Sequence, residues 1–105
     1  MLDLKPEYLA VVHKILAAHI PGMIVWAYGS RVNGQAHEGS DLDLIVIHPN
    51  DASIPQENLV ELRTAFSESN LPILVDVLDW ACIPETFKQE IKQGYEIVQS
   101  VTQSV

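Results

Sequence analysis

The chain has 105 residues, 48% of them hydrophobic, so we expect a single domain over residues 1–105. Its formal net charge is −8, with only six lysines and arginines. The acidic balance argues against direct binding of DNA or RNA through a basic surface. The sequence has no apolar run of membrane-spanning length, no signal peptide pattern and a lone cysteine, Cys82, from which we expect a cytoplasmic protein without a membrane segment.

The spacing of apolar residues predicts alternating helices and strands. Ser53 and Gln56 resemble a capping box, which predicts that a helix begins there and continues to Asn70. The other predicted helices cover residues 6–19 and 84–93, and the predicted strands cover residues 23–28, about 42–48, 73–79 and 95–98. This order predicts an α/β (α+β) fold in which helices pack mainly on one side of a sheet.

Two carboxylates open the second predicted strand. Asp41 and Asp43 are two positions apart, so their side chains are expected on the same face of that strand. Two like charges this close repel each other by about 1–4 kcal/mol, depending on the effective dielectric constant. A cation would neutralise that repulsion, and Mg²⁺ is the natural candidate because it binds one or two carboxylates together with water and phosphate oxygens.

A glycine-serine turn precedes these carboxylates by about ten residues. Gly29 allows the backbone to approach a ligand closely, and Ser30 adds a hydroxyl donor. Arg31 is either a phosphate contact or a surface arginine. Ser40 is expected to cap the turn before the strand, with a direct ligand contact as the alternative. The combination of strand, turn and paired carboxylates predicts a site for a metal-bound polyphosphate.

A third carboxylate, Asp76, lies among apolar residues of the third predicted strand. An isolated carboxylate there is costly to bury unless it is metal-bound or hydrogen-bonded, so Asp76 is a candidate metal ligand with a structural role as the alternative. Asp79 falls on the opposite face and is expected to be a cap or a surface residue. Tyr28 is expected to pack in the core, with contact to a nucleotide base as the alternative.

The motif Gly29-Ser30-Arg31 followed by Ser40-Asp41-Leu42-Asp43 resembles the signature of the DNA polymerase β-type nucleotidyltransferases. Within that superfamily the chain is similar to the minimal nucleotidyltransferase (MNT) proteins, many of which are antitoxin partners of HEPN-domain proteins. The resemblance implies a nucleotidyltransferase fold with a mixed sheet and two Mg²⁺ ions held by Asp41, Asp43 and Asp76. It also implies transfer of a nucleoside monophosphate from a nucleoside triphosphate. Asn33 stands where many members have a second arginine.

From this resemblance we expect an antitoxin enzyme that transfers AMP from ATP to a tyrosine of a HEPN-like helical partner. In that enzyme the three aspartates would be catalytic, while Gly29 and Ser30 would hold the departing phosphates. Two alternatives remain open at this point. One is an antitoxin that binds its partner with an idle nucleotide site, and the other is a two-subunit enzyme that modifies a small molecule such as an aminoglycoside.

Overall fold

The fold alternates helices with strands along the part of the chain that the structure, a computed structural model, describes: residues 2–57 and 59–100. The helices are α1 (Pro6–His19), α2 (Ser30–Asn33), α3 (Leu59–Ser67) and α4 (Glu85–Lys92), with a 3₁₀ turn at Trp80–Cys82. The strands are β1 (Ile24–Tyr28), β2 (Leu42–Ile47), β3 (Val75–Asp79) and β4 (Glu96–Gln99). Within these ranges no helix is long and apolar enough to cross a membrane.

The four strands form a mixed sheet in the spatial order β3-β2-β1-β4. β1 is antiparallel to β2 and to β4, whereas β2 and β3 are parallel. A parallel pair needs a long crossover, and here the segment that contains α3 provides it. The mixed sheet that the resemblance implies is confirmed. Because β2 and β3 run in the same direction, the residues that begin both strands lie at one end of the sheet.

The first face of the sheet is covered by α1 and α3. Val12 and Leu16 of α1 and Leu62 of α3 have no exposed surface, and Phe66 is also buried. They pack against the strand residues whose side chains alternate toward this face, which are Val25, Ala27, Leu42, Leu44, Val46, Val77 and Val98. The helix predicted over residues 6–19 is confirmed, and its apolar spacing directs one stripe of side chains into this core.

The second face is covered by α4 and the 3₁₀ turn. Ile91 of α4 and Trp80 of the turn pack with Tyr28, Ile45 and Ile47. The expectation that helices lie mainly on one side therefore holds for the two longest helices, while α4 packs on the opposite side. The reason lies in β2, because apolar residues on both of its faces are fully buried and each face needs a cover.

The helix predicted to begin near Ser53 begins instead at Leu59. Oδ1 of Asp51 accepts hydrogen bonds from the amide and hydroxyl of Ser53, at 2.9 and 2.7 Å. The serine side chain is thus committed to a turn with the preceding aspartate, and the predicted capping box is wrong. Short polar side chains commonly stabilise turns in this way in competition with a helix.

Asp79 is a buried cap, with 8% of its surface exposed. One carboxylate oxygen accepts a hydrogen bond from the Ala81 amide at 3.1 Å, and the other accepts one from the Gln56 amide at 2.8 Å. The predicted capping role is confirmed, and the surface alternative is wrong. Asp79 ties the segment before α3 to the end of β3, at the end of the sheet away from the carboxylate motif.

Candidate active site

Gly29 ends β1 and turns the chain into α2. Its φ of 81° lies in the left-handed region, which glycine adopts without a steric penalty. A Cβ at this position would lie 2.6 Å from Oδ2 of Asp43. The amides of Val32 and Asn33 both donate to the Gly29 carbonyl at 3.0 Å, so α2 follows the turn directly. The glycine-serine turn therefore passes immediately beside a carboxylate of its own motif.

The strand register brings the carboxylates together. Asp43 of β2 pairs with Tyr28 of β1 on one side and with Asp76 of β3 on the other. Paired residues of neighbouring strands project from the same face of a sheet, and Asp41 shares that face because it is two residues before Asp43. Asp43 is half-buried, whereas Asp41 and Asp76 are exposed.

These aspartates interact electrostatically. Burial raises the pKa of the Asp43 carboxyl above its ordinary value, and the negative charges of Asp76 and Asp41 raise it further. Among the residues that the structure describes, however, no three histidine, cysteine, aspartate or glutamate side chains converge closely enough to form a finished metal-binding group. The two observations are compatible because charge repulsion acts over longer distances than metal coordination. The aspartates form an anionic cluster without a closed set of ligands.

Tyr28 forms the wall of the site on the β1 side. The residue is buried, and its ring packs edge-on against Phe87 of α4 with 5.7 Å between the ring centres. Burial raises the pKa of the Tyr28 hydroxyl, and the charges of Asp43 and Asp76 raise it further. The predicted core position is confirmed. The hydroxyl stays protonated beside the carboxylates and can donate a hydrogen bond.

The Arg31 side chain is buried and donates its hydrogen bonds to backbone carbonyls of the loop, an environment that neither prediction for this residue described. Only 6% of its surface is exposed, and Nε and Nη2 donate to the Ser40 carbonyl at 3.0 and 2.8 Å. Nη2 also donates to the Glu38 carbonyl at 3.1 Å, and Nη1 donates to the Asp3 carbonyl at 2.8 Å. Both the phosphate contact and the surface alternative give way to a structural role, because the loop folds its carbonyls around the guanidinium group. Arg31 fixes the loop that leads to Asp41.

Ser30 and Ser40 line an open groove of about 460 Å³ together with Asp41 and Asp43. Ser40 is buried, and its hydroxyl oxygen accepts a hydrogen bond from the His37 amide at 2.9 Å. That contact is the turn cap expected from the sequence. Ser30 is half-buried at the start of α2. The groove therefore combines carboxylates with a serine hydroxyl beside the backbone turn.

Replacing Gly29 tests the close approach to Asp43. We expect Gly29→Ala to destabilise the fold by more than about 1–2 kcal/mol, the ordinary cost of a left-handed alanine, because its Cβ would also collide with the carboxylate. Gly34→Ala is the matched control, since Gly34 has a φ of 85° and no heavy atom within 4 Å of an added Cβ. Urea unfolding of both variants measures the difference. Equal losses of stability would contradict a close approach at Gly29.

The repulsion around Asp43 predicts a pH dependence of stability. A raised pKa means that the folded chain binds this proton more tightly than the unfolded chain, so ionised Asp43 destabilises the metal-free fold at pH 7. We expect Asp43→Asn to raise the melting temperature in chelator at pH 7. The gain should shrink as the pH falls toward the ordinary carboxyl pKa of 3.8, because the wild-type side chain then becomes neutral.

Asp51→Asn is the control for this measurement. Hydrogen bonds from Ser53 lower the pKa of Asp51, so ionisation of this carboxyl favours the fold and its replacement should give no gain in melting temperature. A melting temperature lowered by Asp43→Asn at pH 7 would instead show that the Asp43 carboxylate supports the fold.

Two sequence comparisons bear on this arrangement. Residues 12–103 match the family described as polymerase beta, nucleotidyltransferase. The chain is also 43% identical over 104 residues to a Haemophilus influenzae protein named "Probable protein adenylyltransferase MntA". That match covers 99% of this chain and 90% of the relative.

A solved structure shares the fold. It is described as "Crystal structure of the toxin-antitoxin with AMP-PNP", and it superposes with a TM-score of 0.69 at 23% sequence identity. The superposition covers 89% of this chain and 73% of the other. The family match extends over both halves of the motif and over β3, which contributes Asp76. The chain therefore belongs to the polymerase beta nucleotidyltransferase family, as one of its minimal nucleotidyltransferases.

Proposed function

We propose that this nucleotidyltransferase is an MNT-type antitoxin that transfers AMP from ATP to a tyrosine hydroxyl of a HEPN-domain partner. The observation that carries the proposal is the cluster of Asp41, Asp43 and Asp76 on one face of the sheet, directly beside the Gly29 turn. The name of the Haemophilus relative supports a protein acceptor, and AMP-PNP in the structural neighbour supports ATP as the donor.

The donor atoms of the three aspartates suit Mg²⁺, which prefers carboxylate oxygens. A cation would also relieve the repulsion that raises the pKa of Asp43. Asp41 and Asp43 would bind both proposed Mg²⁺ ions, and Asp76 would bind one. Bound there, Mg²⁺ would neutralise charge on the triphosphate and make the acceptor hydroxyl easier to deprotonate.

The other proposed roles follow from position. Ser30 lines the groove and Gly29 directly precedes it, and the Gly29 backbone and the Ser30 hydroxyl would hold the departing phosphates. Asp76 is exposed on β3, at the edge of the sheet, where an acceptor can approach from solvent. We assign Asp76 as the base that receives the proton of the acceptor hydroxyl. Arg31 would act indirectly by holding the loop before Asp41.

The acceptor side carries an exposed apolar residue. Leu74 directly precedes β3, its carbonyl accepts the Leu42 amide at 2.9 Å, and 72% of its surface is exposed. It is two residues before Asp76 and therefore on the same face of the sheet. We assign Leu74 to contact with the partner protein beside the acceptor tyrosine. ATP is abundant in the cytoplasm, where we place the reaction.

Removal of the catalytic carboxylates tests the enzymatic proposal. In a reaction with ATP, Mg²⁺ and a co-purified HEPN-domain protein, we expect Asp43→Asn and Asp76→Asn each to reduce AMP addition by about a hundredfold or more. Asp51→Asn is the control, since Asp51 is an exposed aspartate in the turn after β2, at the other end of that strand from Asp41, and its replacement should leave the rate unchanged. Mass spectrometry of the partner measures AMP on tyrosine.

The same variants separate modification from masking. If Asp43→Asn protein neutralises the toxin fully while the partner stays unmodified, binding alone explains the antitoxin effect. If instead the wild-type chain modifies an aminoglycoside and leaves the HEPN-domain protein unmodified, the acceptor is a small molecule. Either result would contradict the proposed function.

The Leu74 assignment makes a separate prediction. Leu74→Ser should raise the KM for the partner protein by about tenfold, as expected for loss of a buried leucine contact, without changing the affinity for ATP. Val60→Ser is the matched control, because Val60 is 73% exposed on α3, which packs on the opposite face. Steady-state kinetics with varied partner concentration provide the comparison. Equal KM values for the two variants would contradict the assignment of Leu74 to the acceptor surface.

A further inference from the structure

A cavity of about 400 Å³ lies at the end of the sheet opposite to the carboxylates. His48, which directly follows β2, lines this cavity together with the turn between α1 and β1 and the segment before α3. His48 is five positions after Asp43, so the rise of a β-strand places the two residues about 16 Å apart. The cavity is therefore separate from the carboxylate groove, and no step of the proposed reaction uses it.

His48 offers a hydrogen-bond donor to this cavity. Its Nδ1 accepts the amides of Asn50 and Asp51 at 3.2 and 3.4 Å, so in the neutral imidazole the proton is on Nε2. A protonated Nε2 has no lone pair for a metal ion. In agreement, the residues that the structure describes include no group of three side chains that could hold a metal. The imidazole is thus suited to a ligand that accepts a hydrogen bond.

Gln56 adds a second donor. The residue lines the same cavity, and its Nε2 is buried without an acceptor among the described parts of the chain. The Gln56 backbone is fixed because its amide donates to Asp79 at 2.8 Å, whereas the last torsion of a glutamine side chain is soft. Rotation about that torsion can turn Nε2 toward the cavity. A buried donor without an acceptor destabilises the fold, so a ligand that supplies an acceptor would relieve this cost.

Most of the remaining wall is apolar and held in place. Ile20, Met23 and Ile54 line the cavity together with two prolines. The side-chain amide of Gln99 donates to the carbonyls of Ile20 and Met23 at 2.9 and 2.8 Å, which ties this wall to the end of β4. A preformed, largely apolar cavity of this volume with a few donors has the properties of a small-molecule site.

We propose that this cavity binds a small uncharged molecule that presents a carbonyl oxygen beside an aliphatic group, such as a carboxamide. The carbonyl oxygen accepts hydrogen bonds from Gln56 and His48, and the aliphatic group packs against Ile54. Glu57 also lines the cavity, and the whole chain has a formal net charge of −8, so a carboxylate ligand is disfavoured. The site shares no residue with the carboxylate groove and does not depend on the proposed function.

Three probes with the same branched carbon chain test the ligand class: isovaleramide, isovalerate and isoamylamine. In an NMR titration of the full chain, isovaleramide should shift the backbone amide signals of His48, Gln56 and Glu57. The expected dissociation constant is on the order of 1 mM, because the probe has so few atoms. Isovalerate should bind at least about threefold more weakly because of its charge, and isoamylamine, which has no acceptor, should bind more weakly still.

Gln56→Met tests the donor, since methionine keeps the length of the side chain and removes the amide. It should weaken isovaleramide binding by about five- to tenfold, the effect of losing one hydrogen bond. It should also raise the melting temperature of the ligand-free chain, because the buried unpaired donor is gone. A glutamine with a merely structural role would instead lose stability on replacement.

Gln89→Met is the matched control. Gln89 is exposed on α4, its amide donates to Glu85 at 2.9 Å, and it is outside the cavity lining. This variant should bind isovaleramide as the wild type does and show no gain in melting temperature. Ile54→Ser tests the apolar wall separately. Ile54 is 40% exposed, so its replacement should leave the melting temperature unchanged while weakening isovaleramide binding by about threefold or more.

Four results would overturn the assignment. Absence of shifts at His48, Gln56 and Glu57 would remove the site, as would shifts confined to the carboxylate groove. Isovalerate or isoamylamine binding as tightly as isovaleramide would contradict an uncharged ligand with a carbonyl acceptor. A melting temperature lowered by Gln56→Met would show that its amide already has an acceptor in the folded chain. Each of these results leaves the proposed transfer of AMP untouched, since that reaction is measured on the partner protein.

Discussion

The position of Asp43 imposes the main constraint on this molecule. The central strand β2 places its carboxylate beside Asp76 of β3 and against the Gly29 turn after β1, partly shielded from water. Burial disfavours the ionised form of Asp43, as do the like charges of Asp76 and Asp41, and both effects raise the pKa of this carboxyl. The surrounding strand compensates through apolar packing, since Leu44 and Ile45 on either side of the sheet are fully buried. The destabilising carboxylate of Asp43 thus lies on a strand whose apolar side chains are almost all buried, and this packing fixes the position of the carboxylate.

The loop between α2 and β2 is held together by the buried Arg31 side chain and not by an apolar core. Arg31 is nearly fully buried, and its guanidinium group is satisfied by backbone carbonyls, including that of Ser40 just before Asp41. Backbone carbonyl oxygens do not gain a proton in the ordinary pH range, whereas a carboxylate does. The hydrogen bonds of Arg31 to these carbonyls are therefore insensitive to pH over that range. The same contact joins the loop to the N-terminal segment through Asp3. The direction of Asp41 therefore depends on residues distant in sequence.

Local patterns predicted a large part of this arrangement. Alternation along β2 indicated that Asp41 and Asp43 share a face, and the apolar neighbours of Asp76 indicated that this carboxylate needed an explanation. The apolar spacing also predicted the succession of the four strands and the three longer helices and, except near Ser53, their approximate limits, whereas the short helix α2 and the 3₁₀ turn were not predicted. These features follow from the period of one element or from the spacing of one motif, so the sequence alone contains the necessary information.

The remaining features depend on contacts between distant segments. Whether Arg31 meets a phosphate or a ring of carbonyls depends on the fold of the whole loop, which residue spacing does not encode. Likewise, Asp79 is buried because the Gln56 amide comes to it from 23 residues away. The face chosen by α4 could have been inferred from β2, whose apolar residues on both sides require two covers.

The two faces of the sheet have different roles. On the first face, α1 and α3 bury a continuous apolar core. On the second face, α4 covers the sheet near Trp80 and Ile91, and the carboxylates lie at the end where β2 and β3 begin. The neighbouring edge strand β3 leaves Asp76 and Leu74 accessible to solvent. Under the proposed function, a protein acceptor would therefore reach the aspartates from the β3 side, because the strand on the other side of β2 is β1, which β4 covers at its far edge.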